Sequence, residues 1–210
     1  MDAYLSLFRP ATAEFTERKS LFIGSAIPVA AESEALEFIN SVRKKYADAT
    51  HNVYAYILRE NNACRFSDDG EPHGTAGMPV LEVLRKEGVT DAAVVVTRYF
   101  GGILLGTGGL VRAYTAAAKL AIQAAGRAEW AKCARFSVTS DYSDHQKLSY
   151  YFRKNGVDVK DTVFSDFVVN ECVADIGRLP SVTEDIVALT NGKAAISAAT
   201  EEFVKREVKE

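Results

Sequence analysis

The sequence predicts an α+β protein built from two domains, and three observations support this prediction. The chain has 210 residues, more than the roughly 100 to 150 residues of a typical single domain. Segments with a helical spacing of apolar residues alternate with segments of strand-like alternation. The order of these segments changes near residue 128. We therefore expect one domain over residues 1–128 and a second over residues 129–210.

The first predicted domain mixes strands and helices. Its strands are marked by runs of apolar and β-branched residues, and they are expected at residues 20–29, 53–58 and 91–100. Its helices are expected at residues 32–46, from Pro79 to a left-handed cap at Gly88, and from about Leu110 to Gly126. Between them, residues 65–77 contain too many Gly, Asp and Pro residues for a regular element.

The second predicted domain follows a linker at residues 127–132. Its elements are a strand at 136–142, a helix to Lys154, strands at 157–163 and 167–176, a helix from Pro180 to Asn191-Gly192, and a strand at 194–204. Capping boxes are expected at the helix starts, from Ser143 with Gln146 and from Ser181 with Glu184. The order β-α-β-β-α-β is that of a ferredoxin-like domain, in which the two middle strands form a hairpin.

Composition and charge narrow the possible functions. Residues 1–128 carry 14 Lys and Arg against 14 Asp and Glu, and residues 129–210 carry 11 against 14, which accounts for the net charge of −3. Because non-specific nucleic-acid binding depends on an excess of Lys and Arg, binding to DNA or to any polyanion along the whole chain is disfavoured. The three cysteines are widely spaced, so neither a disulfide framework nor a Cys-x-x-Cys zinc site is expected.

The distribution of apolar residues along the chain indicates where the protein is located. No segment approaches the roughly 18 consecutive apolar residues of a membrane span, and the first residues lack the pattern of a signal peptide. We expect a soluble cytoplasmic protein that does not bind membranes.

The most informative motif is the glycine-rich segment RYFGGILLGTGGLVR at residues 98–112, between a predicted strand and a predicted helix. Backbone amides at such a helix start can bind an anion, and the guanidinium groups of Arg98 and Arg112 are expected to point outward on either side. The alternative is that the glycines bind nothing and are present only because the backbone there has unusual dihedral angles and close packing. The segment lacks the lysine of a phosphate-binding P-loop and the pattern of a dinucleotide fingerprint. The predicted binding residues here are Arg98, Tyr99, Gly101, Gly102, Gly106, Thr107, Gly108, Gly109 and Arg112.

A second group of polar residues lies in the segment 65–77. Three carboxylates and an imidazole within six positions are compatible with acid-base catalysis or a divalent cation, but the spacing matches no EF-hand or zinc helix. The alternative is a solvated loop whose Ser67 and Asp68 bond their own backbone. We include Arg65, Ser67, Asp68, Asp69, Glu71 and His73 in the predicted binding surface. No catalytic residue, metal ligand or cofactor is assigned.

Two segments together resemble the IMPACT/YigZ family. They are SDDGEPHGTAGMPVL at residues 67–81 and VTRYFGGILLGTGGLVRAY at residues 96–114. The resemblance covers most of residues 15–126, and residues 130–206 resemble the smaller second domain of bacterial members. It implies that the first domain has the fold of domain IV of elongation factor G and that the second corresponds to domain V. Eukaryotic members are regulators of translation that carry a different partner domain, so their particular partner is not transferred.

These observations predict a non-catalytic protein that regulates or assists translation by contacting the ribosome, RNA or a translation-associated protein. One alternative is an enzyme or small-molecule binder that takes a phosphate or nucleotide at the glycine-rich loop. Another is a protein-interaction module whose acidic second domain faces the partner. Within the predicted surface, one ring of Tyr99 and Phe100 is expected to point outward beside Arg98, because side chains alternate along a strand.

Overall fold

The computed structural model describes residues 3–208 and divides into two compact units, formed mainly by Tyr4–Glu129 and by Trp130–Lys205. The outer limits predicted at residues 1 and 210 lie outside the described residues. Each unit combines an antiparallel sheet with helices, so the prediction of a two-domain α+β fold is confirmed. No helix within residues 3–208 has the length and apolar character needed to cross a bilayer.

The first unit is built on a five-stranded sheet in the order β2-β3-β6-β4-β5. The strands of this sheet are β2 (Ala11–Glu17), β3 (Ser20–Pro28), β4 (His51–Ile57), β5 (Cys64–Ser67) and β6 (Ala92–Tyr99), and the preceding strand β1 (Ala3–Leu7) lies outside it. Its helices are α1 (Glu32–Lys45), α2 (Gly77–Lys86) and α3 (Gly106–Ala125). The central strand β6 is buried along almost its whole length, because helices cover both faces of the sheet.

The two faces of this sheet have separate cores. On one face, residues of α2 and α3 such as Leu84 and Tyr114 pack against Phe22 and Val94. On the other face, Ile39 of α1 packs with Tyr56 and Val95. Neighbouring residues of β6 therefore enter opposite cores, and the carboxyl end of the strand leads directly into the loop before α3.

The second unit has the topology predicted for a ferredoxin-like domain. Its elements are β7 (Arg127–Ser140), α4 (Tyr142–Lys154), β8 (Asp158–Phe164), β9 (Val168–Asp175), α5 (Leu179–Leu189), β10 (Ala195–Ile196) and β11 (Thr200–Glu207). Strand β9 pairs antiparallel with both β7 and β8, while β10 and β11 pair with β7 on its other side. This insertion of β9 between β7 and β8 is the split β-α-β arrangement.

Several local predictions are wrong. The segment predicted to be an irregular loop begins with strand β5, and the predicted linker at 127–132 is the first part of β7. The predicted last strand is divided into β10 and β11. Helix α4 is capped by Asp141, which accepts a hydrogen bond from the Asp144 N–H, and not by Ser143; α5 has no side-chain cap.

Candidate functional site

The loop between β6 and α3 exposes apolar side chains. Phe100, Ile103 and Leu104 are 45%, 39% and 81% exposed. Solvent-exposed side chains of this size, close together in one short loop, are typical of surfaces that contact a ligand or a partner. The loop thus presents an apolar surface at the start of α3.

Helix α3 begins without a side-chain cap. It starts at Gly106, whose φ is +70°, and no side chain of residues 3–208 accepts from its first amides. The first amides of an α-helix have no intrahelical acceptor, and the helix dipole places partial positive charge there. Thr107 and Gly108 are exposed. These amides are therefore available to an external acceptor.

A close backbone contact fixes the position of the glycine-rich loop. A Cβ at Gly101 would overlap the carbonyl group of Lys19 in the turn between β2 and β3, so only glycine fits there. Arg18 of the same turn lines a cavity of about 240 Å³ together with Arg112 and Gly109. The contact therefore brings Arg18 and Lys19, both exposed, to the loop and to α3.

The side chain of Arg98 points into the protein and not toward solvent. Its side chain is 6% exposed, and its Nη1 atom lies 2.6 Å from Oε1 of Glu71 in a buried ion pair. The guanidinium also packs between the rings of Phe22 and Phe100. The prediction that Arg98 points outward is therefore wrong, whereas Arg112 is exposed and has no hydrogen bond or ion pair among residues 3–208.

Glu71 is the centre of this buried group. Its Oε1 accepts a second hydrogen bond, of 2.8 Å, from the Tyr114 hydroxyl of α3. Burial raises the pKa of Tyr114, and the neighbouring Glu71 carboxylate raises it further. His51 of β4 lies beside the pair, with Nε2 3.8 Å from the same oxygen. The loop between β5 and α2, residues 68–76 and here called the polar loop, thus meets β4, β6 and α3 at one carboxylate.

The two aspartates of the polar loop hold its backbone. Asp68 accepts hydrogen bonds from the amides of Gly74, Ala76 and Gly77 at the start of α2. Burial opposes ionisation of Asp68, but these amide bonds prevail and keep its pKa below the usual value. Asp69 binds Arg43 at 2.9 Å and the Asn52 amide at 2.6 Å. Both carboxylates therefore have internal partners.

A cleft lies between the polar loop and the start of α3. Its volume is about 410 Å³, and its lining includes His51, Glu71, Arg98, Phe100 and Thr107. We call it the His51–Glu71 cleft. Two residues of the polar loop, Glu71 and Pro72, and several residues of the glycine-rich segment line this cleft.

The remaining predicted residues are dispersed. Arg65 lies on β5, at the sheet edge opposite to β2, and the imidazole of His73 is 99% exposed. Tyr99 is partly buried and its hydroxyl donates to Asp48, while Phe100 is the exposed ring. Ser67 accepts from the Asp69 amide. Gly102 lies at the loop surface with a φ of +82°.

Sequence reasoning missed four residues of this region: Arg18, Lys19, His51 and Tyr114. Arg18 and Lys19 lie far from the glycine-rich segment in the chain, and the pairing of β3 with β6 brings their turn next to it. His51 faces Arg98 in the register of β4 and β6. No sequence pattern reveals that register, although a histidine at a strand start is a usable signal.

Comparisons with known proteins agree with this architecture. The model of the Impact N-terminal domain matches residues 18–122, and a domain of unknown function, DUF1949, matches residues 138–193. The IMPACT family member YvyE of Bacillus subtilis is 35% identical over 209 residues, which cover 99% of this chain and 96% of that protein. The chain belongs to the IMPACT family. The expected resemblance is thereby confirmed.

Other relatives share mainly the first unit. The IMPACT family member YigZ of Escherichia coli is 43% identical over 54% of this chain and 57% of its own length. The protein IMPACT of Rattus norvegicus is 36% identical over 45% of this chain and 31% of its own length. A solved structure described as an hypothetical protein covers 96% of this IMPACT family chain and 100% of its own, with a TM-score of 0.61 and 28% identity.

Proposed function

We propose that this IMPACT family protein is a non-catalytic binding protein that regulates or assists translation by contacting the ribosome. The proposed contact surface consists of Arg18, Lys19, Phe100, Leu104 and Arg112. The observation that carries the proposal is the gathering of three exposed cations around an exposed apolar loop.

The chemistry of this surface suits a ribosome. Arg and Lys side chains neutralise phosphates of ribosomal RNA, and the uncapped start of α3 adds amide donors for the same groups. Phe100 and Leu104 exclude water from the contact or stack on an exposed base. Because residues 1–128 have no net charge, we expect a local contact of few phosphates and not a long electrostatic track.

Sedimentation of the full chain with purified ribosomes through a sucrose cushion tests the proposal. We expect the double variant Arg18→Ala/Arg112→Ala to bind at least about ten times more weakly at moderate salt. The slope of log affinity against log salt should fall by about one for each phosphate that the variant no longer neutralises. Leu104→Ser should weaken binding without changing the salt slope.

Two control variants distinguish the loss of cations at this surface from a general loss of positive charge. Lys119→Ala removes a cation from α3, two turns beyond Arg112, and Arg153→Ala/Lys154→Ala removes two exposed cations from α4. Both controls should sediment like the unmodified protein. If the Arg18→Ala/Arg112→Ala protein sediments with ribosomes as well as the unmodified protein does, the ribosome does not bind at this surface.

A further inference from the structure

The His51–Glu71 cleft contains a carboxylate oxygen without a partner. Oε1 of Glu71 accepts from Arg98 and Tyr114, while Oε2 has no hydrogen bond within residues 3–208, although the side chain is only 4% exposed. Oε2 is not one of the fully buried side-chain atoms that lack a partner in the described part of the chain, so it keeps contact with solvent. Because Glu71 lines the cleft, Oε2 is placed to accept from a donor that enters it.

His51 supplies a second acceptor beside it. Its Nδ1 lies 2.8 Å from the carbonyl oxygen of Asp69. A carbonyl oxygen only accepts, so Nδ1 carries the proton, and in the neutral ring Nε2 is left as an acceptor. Nε2 lies 3.8 Å from Glu71 Oε1. The floor of the cleft thus offers two neighbouring acceptors, which suit a pair of hydroxyl donors.

The same cleft also offers donors. Gly106 and Thr107 of the first turn of α3 line it, and no side chain caps that turn. In addition, Nε of Arg98 is buried and has no hydrogen-bond partner among the described residues. Glu71 and Arg98 neutralise each other, so an anion at the start of α3 meets the partial positive charge of the helix.

The lining of the cleft also includes apolar side chains. Phe100, Leu104 and Leu110 line the cleft, and the Phe100 ring is nearly half exposed. An exposed aromatic ring is a stacking surface for a nucleobase. The cleft volume, about 410 Å³, falls within the range of small-molecule sites, roughly 300 to 1,000 Å³.

We propose that the His51–Glu71 cleft binds a phosphorylated nucleoside. The sugar hydroxyls donate to Glu71 Oε2 and His51 Nε2, as carboxylates accept from ribose in other nucleotide sites. The phosphate accepts from the first amides of α3, and the base lies against Phe100. A free mononucleotide and the phosphorylated end of an RNA share this chemistry.

Isothermal titration of the full chain tests the proposed ligand class. The probes are AMP, UMP, adenosine, a 2′,3′-dideoxynucleotide, ribose 5-phosphate and inorganic phosphate. We expect each ribonucleotide to bind at least about ten times more tightly than adenosine, the dideoxynucleotide or phosphate alone, a ratio worth about 1.4 kcal/mol. Absence of ribonucleotide binding, or equal affinity for inorganic phosphate, would overturn the proposal.

A second titration distinguishes the source of the nucleotide. A ribohexanucleotide with a 5′-phosphate is compared with the same oligomer ending in a 5′-hydroxyl. Tighter binding of the phosphorylated oligomer than of AMP and UMP assigns the cleft to an RNA end, and tighter binding of AMP or UMP assigns it to a free nucleotide. If the two oligomers bind equally and more tightly than AMP and UMP, the cleft is not the site.

Variants test the assigned contacts. Thr107→Pro removes one amide donor from the first turn of α3, where proline is tolerated, and Thr107→Ser keeps it. We expect Thr107→Pro to lose at least about fivefold in affinity, or ~1 kcal/mol, with Thr107→Ser close to the unmodified protein. His51→Phe removes the Nε2 acceptor without changing Arg18 or Arg112. Unchanged nucleotide affinity in His51→Phe that still melts cooperatively would overturn the proposal, whatever its ribosome sedimentation.

Discussion

At the scale of single residues, the Glu71–Arg98 pair combines a structural contact with a position on the cleft. Arg98 belongs to β6, Glu71 to the polar loop and Tyr114 to α3, and all three are buried. Charges removed from water are tolerated only when they are paired and hydrogen-bonded. The pair therefore ties three elements together beneath the His51–Glu71 cleft.

Replacement of Arg98 should destabilise the protein. We expect Arg98→Ala to lower the free energy of unfolding by about 3–5 kcal/mol, because it leaves the Glu71 carboxylate buried and uncompensated. Urea denaturation measures the loss. Arg112→Ala, which removes an exposed arginine, should stay within about 0.5 kcal/mol of the unmodified protein. Equal stability of the two variants would contradict the buried pair.

Asp68 should contribute stability that depends on pH. Its pKa is lowered in the folded state, so its contribution is complete above the unfolded value of about 3.9 and is lost as the pH falls through the folded value. We expect Asp68→Asn to cost about 1–3 kcal/mol at pH 7. The difference from the unmodified protein should shrink below about pH 4.

Thermal unfolding between pH 3 and pH 8 measures this difference. Asp166→Asn is the control, because Asp166 is exposed and has no hydrogen bond or ion pair in the described part of the chain. A constant gap between Asp68→Asn and the unmodified protein down to pH 3 would show that the loss does not come from the ionised carboxylate.

Residue-level patterns singled out two segments that meet at one cleft, but they did not give the directions of the side chains. The glycine-rich segment and the polar loop do border one cleft. The direction of Arg98 was not predictable, because both faces of β6 are buried and alternation then assigns neither side to solvent. Arg98 enters a core, and its charge is balanced by a residue 27 positions away in the chain.

At the scale of elements, the bounds of helices and strands were predicted well where the periodicity of apolar residues is strong. Strands β3, β4 and β6 and helix α1 lie within about two residues of their predicted bounds. The missed strands β2 and β5 are partly exposed edge strands, whose sequences lack a continuous apolar run. These edge strands form because they pair with a neighbouring strand of the sheet. A pattern within one short segment of sequence does not contain that information.

The glycines of the loop and of α3 should differ in their tolerance of alanine. Gly101→Ala should destabilise the protein by about 1–3 kcal/mol, because the added Cβ overlaps the Lys19 carbonyl and the loop or the β2–β3 turn must move. Gly108→Ala meets only an ordinary contact within α3 and should stabilise the protein by up to about 1 kcal/mol.

Denaturation of the two alanine variants side by side gives the comparison. Opposite signs of the change in unfolding free energy are expected. Two changes of the same sign and size would mean that the Gly101 position is not held by the turn.

At the scale of the whole molecule, the two units differ in the accessibility of their cysteines. Cys64, in the first unit, is partly buried, whereas Cys133 and Cys172, in the second, are buried, and no disulfide joins cysteines within residues 3–208. Burial raises the pKa of Cys172 to about 12. Because the thiolate is the reactive form, Cys172 should be inert in the folded protein.

Thiol labelling at pH 8 should therefore distinguish the cysteine of the first unit from the two cysteines of the second. We expect one thiol to react rapidly in the native protein, and two more to react only when denaturant unfolds the second unit. Mass spectrometry of labelled peptides assigns each step, and Cys64→Ser should abolish the rapid one. Rapid labelling of all three cysteines in the native protein would contradict the buried positions of Cys133 and Cys172.

The wide spacing of Glu71, Arg98 and Tyr114 along the chain has a consequence for biosynthesis. Glu71 leaves the ribosome before Arg98, which balances its charge, and before Tyr114, which donates a hydrogen bond to it. A nascent chain that stops before Arg98 lacks the cation that offsets burial of this carboxylate. Ligand capture in the cleft is thus coupled to closure of the first unit, and no shorter fragment of that unit is expected to show it.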